Sequence, residues 1–199
     1  MKRAPRLPAY LLAHAEAARA SAPRSRAAQP AALPAPRVAA CQRVLGIDPG
    51  SVRTGWGVVE RKGQTARGIA AGVIRVPERA ALAVRLELIH RGIALVLAEH
   101  KPDAVAIEDI FFARYAQAAL MLGHARGVAL LAAAQAGLTV SAYPPTVVKR
   151  AIVGSGKAEK TQVAALVGAL LGLKELPGID ATDALAIAIT HLNASRIGI

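Results

Sequence analysis

The sequence has little cysteine, few aromatic residues and no long uninterrupted apolar run. Its 199 residues include one Cys, two Phe, one Trp and three Tyr. A single Cys excludes an internal disulfide, and the absence of a Cys/His cluster leaves no zinc site. No apolar run reaches the roughly 18 residues that a membrane span needs. These absences predict a soluble protein of the reducing cytoplasm, without a membrane partner.

Acidic residues are scarce relative to basic residues, at 13 against 25, so the formal net charge is +12. Such a surplus implies a polyanionic partner more readily than a small neutral substrate. Residues 1–43 alone hold eight basic residues and one acidic residue. In the remainder the densest basic stretch contains Lys149, Arg150, Lys157 and Lys160. A lysine-rich loop is often only a solvated surface, but its predicted place between two helices near an acidic cluster favours phosphate contact.

Four of the few acidic residues stand at the ends of apolar segments, namely Asp48, Glu108, Asp180 and Asp183. The apolar runs 44–47 and 104–107 are typical of buried strands, and they end at the first two acids. Ligand groups of open sheets gather beyond strand ends. The other two acids are spaced i, i+3, which places them on one face at the start of a helix. Such carboxylates are costly without a cation, so together they predict a metal site.

Each of these acids also has a plainer interpretation. Asp48 precedes Pro-Gly, a common turn, and Asp180 is well suited to cap the N-terminus of a helix. Asp109, directly after Glu108, is the more easily solvated member of that pair. Carboxylate oxygens are hard ligands suited to Mg²⁺ or Mn²⁺, and four of them at the ends of apolar segments favour a metal centre over coincidence.

The segment 45–51 (LGIDPGS), followed by 54–58 (TGWGV), resembles the opening signature of the RuvC-type Holliday junction resolvases. Four further segments also resemble that family. They correspond to its second catalytic segment, the helix after it, its basic loop and its closing helix, which fall respectively at 106–108 with Phe111, 119–127, 153–160 and 180–191. All of them follow in the family's order. The resemblance therefore covers the chain from about Arg43 to His191.

This resemblance implies an endodeoxyribonuclease that resolves four-way DNA junctions during recombination and repair. Symmetric hydrolysis of phosphodiesters would leave 5′-phosphate and 3′-hydroxyl ends. The family's four acidic metal ligands fall on Asp48, Glu108, Asp180 and Asp183. Two Mg²⁺ ions per subunit are implied, about 3.5–4 Å apart, with Mn²⁺ able to substitute. The implied partners are a second copy of the chain and the RuvA and RuvB branch-migration proteins, with the helix 115–136 as the candidate interface.

The resemblance also suggests DNA contacts. Phe111 falls on an aromatic residue that stacks on bases, although an adjacent Phe pair is as often a packing feature. Lys149 and Lys160 fall on lysines near the scissile phosphate. Asp109 stands where the family usually has an amide, and Tyr115 stands where it has a small polar residue. These departures leave the sequence preference of cutting open.

The order of elements indicates an α/β protein with a mixed central sheet flanked by helices. The resemblance specifies the ribonuclease H-like fold for residues 43–199. Residues 1–42, rich in Ala, Pro and Arg, are predicted to be a disordered basic extension. The predicted elements are strands 43–48, 54–61 and 67–76, helix 79–99, strand 103–108, helix 115–136, strand 138–143, and helices 158–172 and 180–195. Trp56 and Tyr143 are predicted to be packing residues on strands.

Competing functions find less support. The segment 154–157 (GSGK) suggests a phosphate-binding loop, but Ala151 and Ala158 stand where that loop needs Gly and Ser or Thr. An actin-like or sugar-kinase ATPase needs two domains and a second phosphate loop, for which the chain is too short. A YqgF-type nuclease is a nearer rival, disfavoured by the 153–160 loop and the closing Asp-x-x-Asp helix. A catalytically silent junction-binding protein would not need all four acids.

Overall fold

The structure is a computed structural model that describes residues 43–109 and 116–197. The predicted extension 1–42 and the residues Phe111 and Tyr115 lie outside these ranges. Along the chain the described elements are β1 Arg43–Asp48, β2 Arg53–Lys62, β3 Thr65–Arg75, α1 Leu82–His100, β4 Ala104–Glu108, α2 Ala116–Gln135, β5 Thr139–Tyr143, α3 Pro145–Val153, α4 Lys160–Leu171 and α5 Ile179–Ile197.

The five strands form one sheet in the order β3-β2-β1-β4-β5. β1 and β2, like β2 and β3, pair antiparallel, whereas β4 pairs parallel with both β1 and β5. A hydrophobic cluster covers each face. Val44 packs on the face of α3, α4 and α5, and Leu45 and Ile47 pack on the face of α1 and α2. The predicted α/β class with a mixed sheet is confirmed, and the buried apolar runs of β1 and β4 follow from burial on both faces.

Predicted and observed boundaries agree closely except after β5. The sequence predicts no helix between strand 138–143 and helix 158–172, but α3 spans Pro145–Val153. Pro145 stands at the start of this helix, where a proline has no intrahelical hydrogen bond to lose, and Gly154 ends it in a left-handed conformation with φ 81°. The helix was not predicted because two consecutive prolines usually interrupt a helix. Lys149 and Arg150 therefore lie on a helix, and the prediction of a single basic loop across them was wrong.

The helix α2 is long and apolar enough to cross a membrane by length and composition alone. The sequence predicts no such segment, because no uninterrupted apolar run reaches the roughly 18 residues that a membrane span needs. In the fold this helix packs against α1 and the sheet through four small buried residues, Ala125, Ala129, Ala132 and Ala133. Since the core helix of a water-soluble domain passes the same test, α2 is weak evidence for a membrane span.

The helix α5 lies directly against the sheet because glycines face it. A Cβ atom on Gly46 would stand 2.0 Å from the backbone oxygen of Ala184, and one on Gly55 would stand 2.1 Å from that of Asp180. Real Cβ atoms do not approach backbone oxygens so closely. Each contact is with backbone, which no side-chain rotation can relieve. These two glycines therefore set the distance between α5 and the strands β1 and β2.

We predict that Gly46→Ala destabilises the protein by about 2 kcal/mol or more, because the added methyl group pushes the backbone of α5 away from β1. The control is Gly123→Ala on α2, where a Cβ meets nothing within 4 Å. That change should be neutral or stabilise the protein by up to about 1 kcal/mol through improved helix propensity. Urea unfolding followed by circular dichroism measures both, and an unaltered free energy of unfolding for Gly46→Ala would contradict the packing described.

Candidate metal centre

Two neighbouring strands deliver the first two acids to the same edge of the sheet. β1 and β4 run parallel, with Ile47 and Ile107 as paired residues, so the next residue on each strand is acidic. These residues are Asp48 and Glu108, and the charge of Glu108 contributes to raising the pKa of Asp48. The backbone after β4 is fixed as well, since the amide of Asp109 donates to the carbonyl oxygen of Tyr143 at 2.9 Å. The parallel register therefore brings the two carboxylates together.

The first turn of α5 carries the other two acids. Gly55 is the register partner of Asp48, and it is also the glycine that contacts the backbone of Asp180. The helix start is held by Thr182, whose hydroxyl and amide both donate to the carbonyl oxygen of Gly178, at 2.7 and 2.9 Å. Asp183 follows Asp180 by about one turn on the same face. The close approach of α5 to β2 thus brings both aspartates to the end of β1.

Electrostatics show that the four carboxylates share one environment. The pKa of Asp48 is raised from its ordinary value of 3.8 to about 7, first by burial and then by the charges of Glu108, Asp183 and Asp180. Burial, followed by the charge of Asp183, raises the pKa of Glu108. Negative charges held this close in a partly buried site repel one another and favour either protonation or a bound cation. The donor set consists of carboxylate oxygens alone, which fits a hard divalent ion.

Two side-chain cations partly neutralise this cluster. Arg53 donates from Nε and from its terminal nitrogen to one oxygen of Asp180, at 2.8 and 2.6 Å. The Lys160 ammonium lies 3.3 Å from Asp183 Oδ2, and that charge raises the pKa of Lys160. Asp180 and Asp183 thus each have one carboxylate oxygen occupied by a side-chain cation. Among residues 43–109 and 116–197, no three Asp, Glu, His or Cys side chains lie close enough together to hold a metal ion as they stand.

Two of the predicted basic residues lie beside the acids, and two do not. A cavity of about 80 Å³ is lined by Glu108, Asp183, Lys149 and Lys160 together with apolar side chains. Lys160 is the first residue of α4, and a capping box between Glu159 and Gln162 fixes that start. Arg150 and Lys157 are exposed and do not line this cavity. Phe111 lies outside the described residues.

The sequence did not single out Arg53 or Arg126. Arg126 on α2 lies 3.1 Å from Asp109 Oδ1 and donates to the carbonyl oxygen of Glu108 at 3.3 Å. It thereby anchors the end of β4, and it gives the unusual acid at position 109 a cationic partner. Arg126 is the only Lys, Arg, Asp or Glu in α2, which is a usable signal. Arg53 meets an acid 127 residues away, and nothing in the sequence indicates that pairing.

The two residues predicted to pack on strands do so. Trp56 on β2 packs against the cluster under α1 and α2, with its ring 5.6 Å from that of His100. Tyr143 on β5 packs against the opposite cluster, and its hydroxyl lies 2.8 Å from Nδ1 of His191 on α5. Burial raises the pKa of Tyr143 and lowers that of His191, which favours the neutral forms of both. This neutral pair joins β5 to α5 behind the carboxylates.

We predict that the metal-free protein loses stability as pH rises from about 4 to about 7. A carboxyl group whose pKa is raised in the folded state binds its proton more tightly there than in the unfolded chain, so ionisation of Asp48 disfavours folding across that interval. Asp48→Asn removes this cost. In EDTA at pH 8 its Tm should exceed that of the unsubstituted protein by about 2 °C or more. At pH 4 the two Tm values should nearly coincide, and a constant difference across the range would refute the interpretation.

Comparison with known proteins agrees with this geometry. Residues 44–191 match the family model described as crossover junction endodeoxyribonuclease RuvC. The RuvC protein of Sorangium cellulosum is 53% identical over 153 residues, which cover 77% of this chain and 86% of that protein. The RuvC protein of Halorhodospira halophila is 52% identical over 149 residues, covering 75% and 89%.

Solved structures lead to the same family. The structure of Thermus thermophilus RuvC in complex with a Holliday junction substrate superposes with a TM-score of 0.76 at 42% identity, covering 79% of this chain and 96% of that one. The yeast mitochondrial Holliday junction resolvase Ydc2, with a TM-score of 0.61 and 12% identity, shares the fold. The family match, the identities and the superposition together show that this chain belongs to the RuvC family of crossover junction endodeoxyribonucleases.

Proposed function

We propose that this nuclease resolves four-way DNA junctions in recombination and repair by hydrolysing phosphodiesters at its carboxylate cluster. The observation that carries the proposal is that Asp48, Glu108, Asp180 and Asp183 lie at one edge of the sheet, near enough for their charges to raise the pKa of Asp48, beside a cavity lined by two lysines. Membership of the family implies a divalent metal requirement. A relative of 42% identity has been solved with a Holliday junction substrate.

The proposed metal is Mg²⁺, two ions per subunit, with Mn²⁺ able to substitute. Such ions activate water and stabilise the leaving oxygen in an in-line displacement at phosphorus. Asp48 is the central ligand of the proposal because it stands between Glu108 on β4 and the aspartates of α5. The products would be a 5′-phosphate and a 3′-hydroxyl.

Positive charge beside the cluster would bind the substrate backbone. Lys149 and Lys160 line the cavity with Glu108 and Asp183, so a phosphate there would meet ammonium groups beside the proposed metal ligands. Lys160 would exchange its contact with Asp183 for this phosphate. The exposed Arg150 and Lys157 would contact the DNA farther out, and Phe111 would stack on unpaired bases. Because these contacts are ionic, junction binding would weaken steeply with added salt.

A homodimer would give the two equivalent strands of a junction one site each. The candidate interface includes α2, which is apolar around its circumference although only 22% of its most apolar window is buried. Leu120 and Leu131 on this helix are 59% and 52% exposed. Burying such side chains against a second copy would stabilise a dimer. RuvA and RuvB are the proposed branch-migration partners, and the cytoplasm is the proposed location.

We predict that a labelled mobile four-way junction incubated with the protein and Mg²⁺ receives paired, symmetric nicks. Asp48→Asn should reduce cutting by more than about 100-fold, because it removes a charge from the metal ligands, while junction binding in a gel-shift assay persists. The matched control is Glu99→Gln, which removes the same charge from an exposed residue beside His100, at the opposite edge of the sheet. Undiminished Mg²⁺-dependent cutting by Asp48→Asn would refute the assignment, and unpaired nicks would count against the dimer.

A further inference from the structure

Arg53 occupies a particular place among the cations around the carboxylates. It opens β2, and both of its donor nitrogens contact the same oxygen of Asp180. The side chain of Arg53 is 52% exposed, whereas that of Asp180 is 25% exposed. The guanidinium therefore covers the carboxylate from the solvent side, on the edge of the cluster nearest to β2 and β3.

This ion pair competes with a divalent ion for Asp180. An oxygen that already accepts two N–H donors has little remaining capacity for a metal, and the guanidinium charge repels a dication placed beside it. An ion pair as exposed as this one is weak, so a metal ion held by the other carboxylates can displace it. Arg53 would then leave Asp180 while remaining attached to a rigid strand beside the site.

The neighbouring strand offers the displaced guanidinium an anion site. Arg75 on β3 is the register partner of Arg53, and both side chains are exposed. Like charges directly opposite each other on a sheet repel, and a shared anion relieves that repulsion. Guanidinium groups bind phosphate oxygens in a planar, bidentate geometry. The sheet order places this pair on the β2–β3 side of Asp48, while Lys149 and Lys160 lie on the side of Glu108.

We propose that Arg53 is exchanged from Asp180 to a DNA backbone phosphate when a divalent metal ion occupies the carboxylate cluster, and that Arg75 shares that phosphate. The inference rests on the proposed function, because it assumes that the four acids bind the metal. It adds a second phosphate-binding site, on the opposite side of the metal centre from the lysines. It also couples metal occupancy to DNA binding through one side chain.

The first test measures metal binding by the full-length protein without DNA. Isothermal titration with Mn²⁺ compares the unsubstituted protein, Arg53→Gln and Arg75→Gln. Losing the competing ion pair should tighten Mn²⁺ binding about two- to fivefold in Arg53→Gln. Arg75→Gln removes the same charge from the paired strand without touching Asp180, so its Mn²⁺ affinity should change less. If both variants bound Mn²⁺ more tightly by the same factor, the effect would be one of net charge alone and the proposal would be overturned. An unchanged Mn²⁺ affinity in Arg53→Gln would overturn it as well.

The second test measures junction binding as a function of salt, with Ca²⁺ replacing Mg²⁺ to prevent cutting, and again in EDTA. In the unsubstituted protein the slope of log affinity against log salt should be steeper in Ca²⁺ than in EDTA by about one phosphate contact. Arg53→Gln should lose that additional contact. If Arg53→Gln keeps the full difference, the guanidinium does not move to the DNA and the proposal fails.

Two further results separate this inference from the proposed function. If the unsubstituted protein binds no Mn²⁺, the metal centre itself is wrong and both proposals fall. If it binds Mn²⁺ and nicks junctions while Arg53→Gln behaves identically in both tests, only the exchange is wrong. Thermal unfolding in EDTA checks that the variants are folded. Arg53→Lys provides a second variant, since its single ammonium should compete less well for Asp180 and give an intermediate Mn²⁺ affinity.

Discussion

The close packing of α5 on the glycine face of β1 and β2 is the constraint on which the rest of the structure depends. Gly46 and Gly55 allow backbone to meet backbone, at a distance that any side chain would forbid. The same contact that buries the apolar face of α5 also delivers Asp180 to the residue opposite Asp48. The packing of α5 on the sheet and the assembly of the site therefore depend on the same contact. If this helix moved away from the sheet, the carboxylates would separate.

The carboxylate cluster is electrostatically unfavourable without a cation, and the chain surrounds it with positive side chains. Burial and mutual repulsion raise the pKa of Asp48 to about 7. Arg53 and Lys160 then hold the two aspartates of α5 from opposite sides. Both ion pairs are weak, because the side chains of Arg53 and Lys160 are exposed. The positive charge that the protein presents to DNA depends on this placement of basic side chains around the acids as much as on the surplus of basic residues in the sequence.

Local pattern was a good guide wherever an element carried a strong signal. Apolar patterning predicts the buried runs of β1 and β4, the mixed sheet and the start of α5. The predicted bounds of these strands and the start of this helix agree with the structure within about two residues. The helix α3 was missed because Pro144 and Pro145 read as breakers, although a proline is well tolerated in the first turn. That error placed Lys149 on a loop, when it projects from a helix into the cavity beside Glu108.

The sequence by itself determined the chemistry of this protein: its family, its four acids at the ends of apolar segments and its surplus of positive charge. Those properties depend on residue type and local periodicity, and both can be read directly from the order of residues along the chain. Only the tertiary structure decided which cation meets which acid. The contacts of Arg53 with Asp180 and of Arg126 with Asp109 join elements whose separation is set by strand register and helix packing. Such distances emerge when the sheet, the helices and their glycine contacts are fixed together.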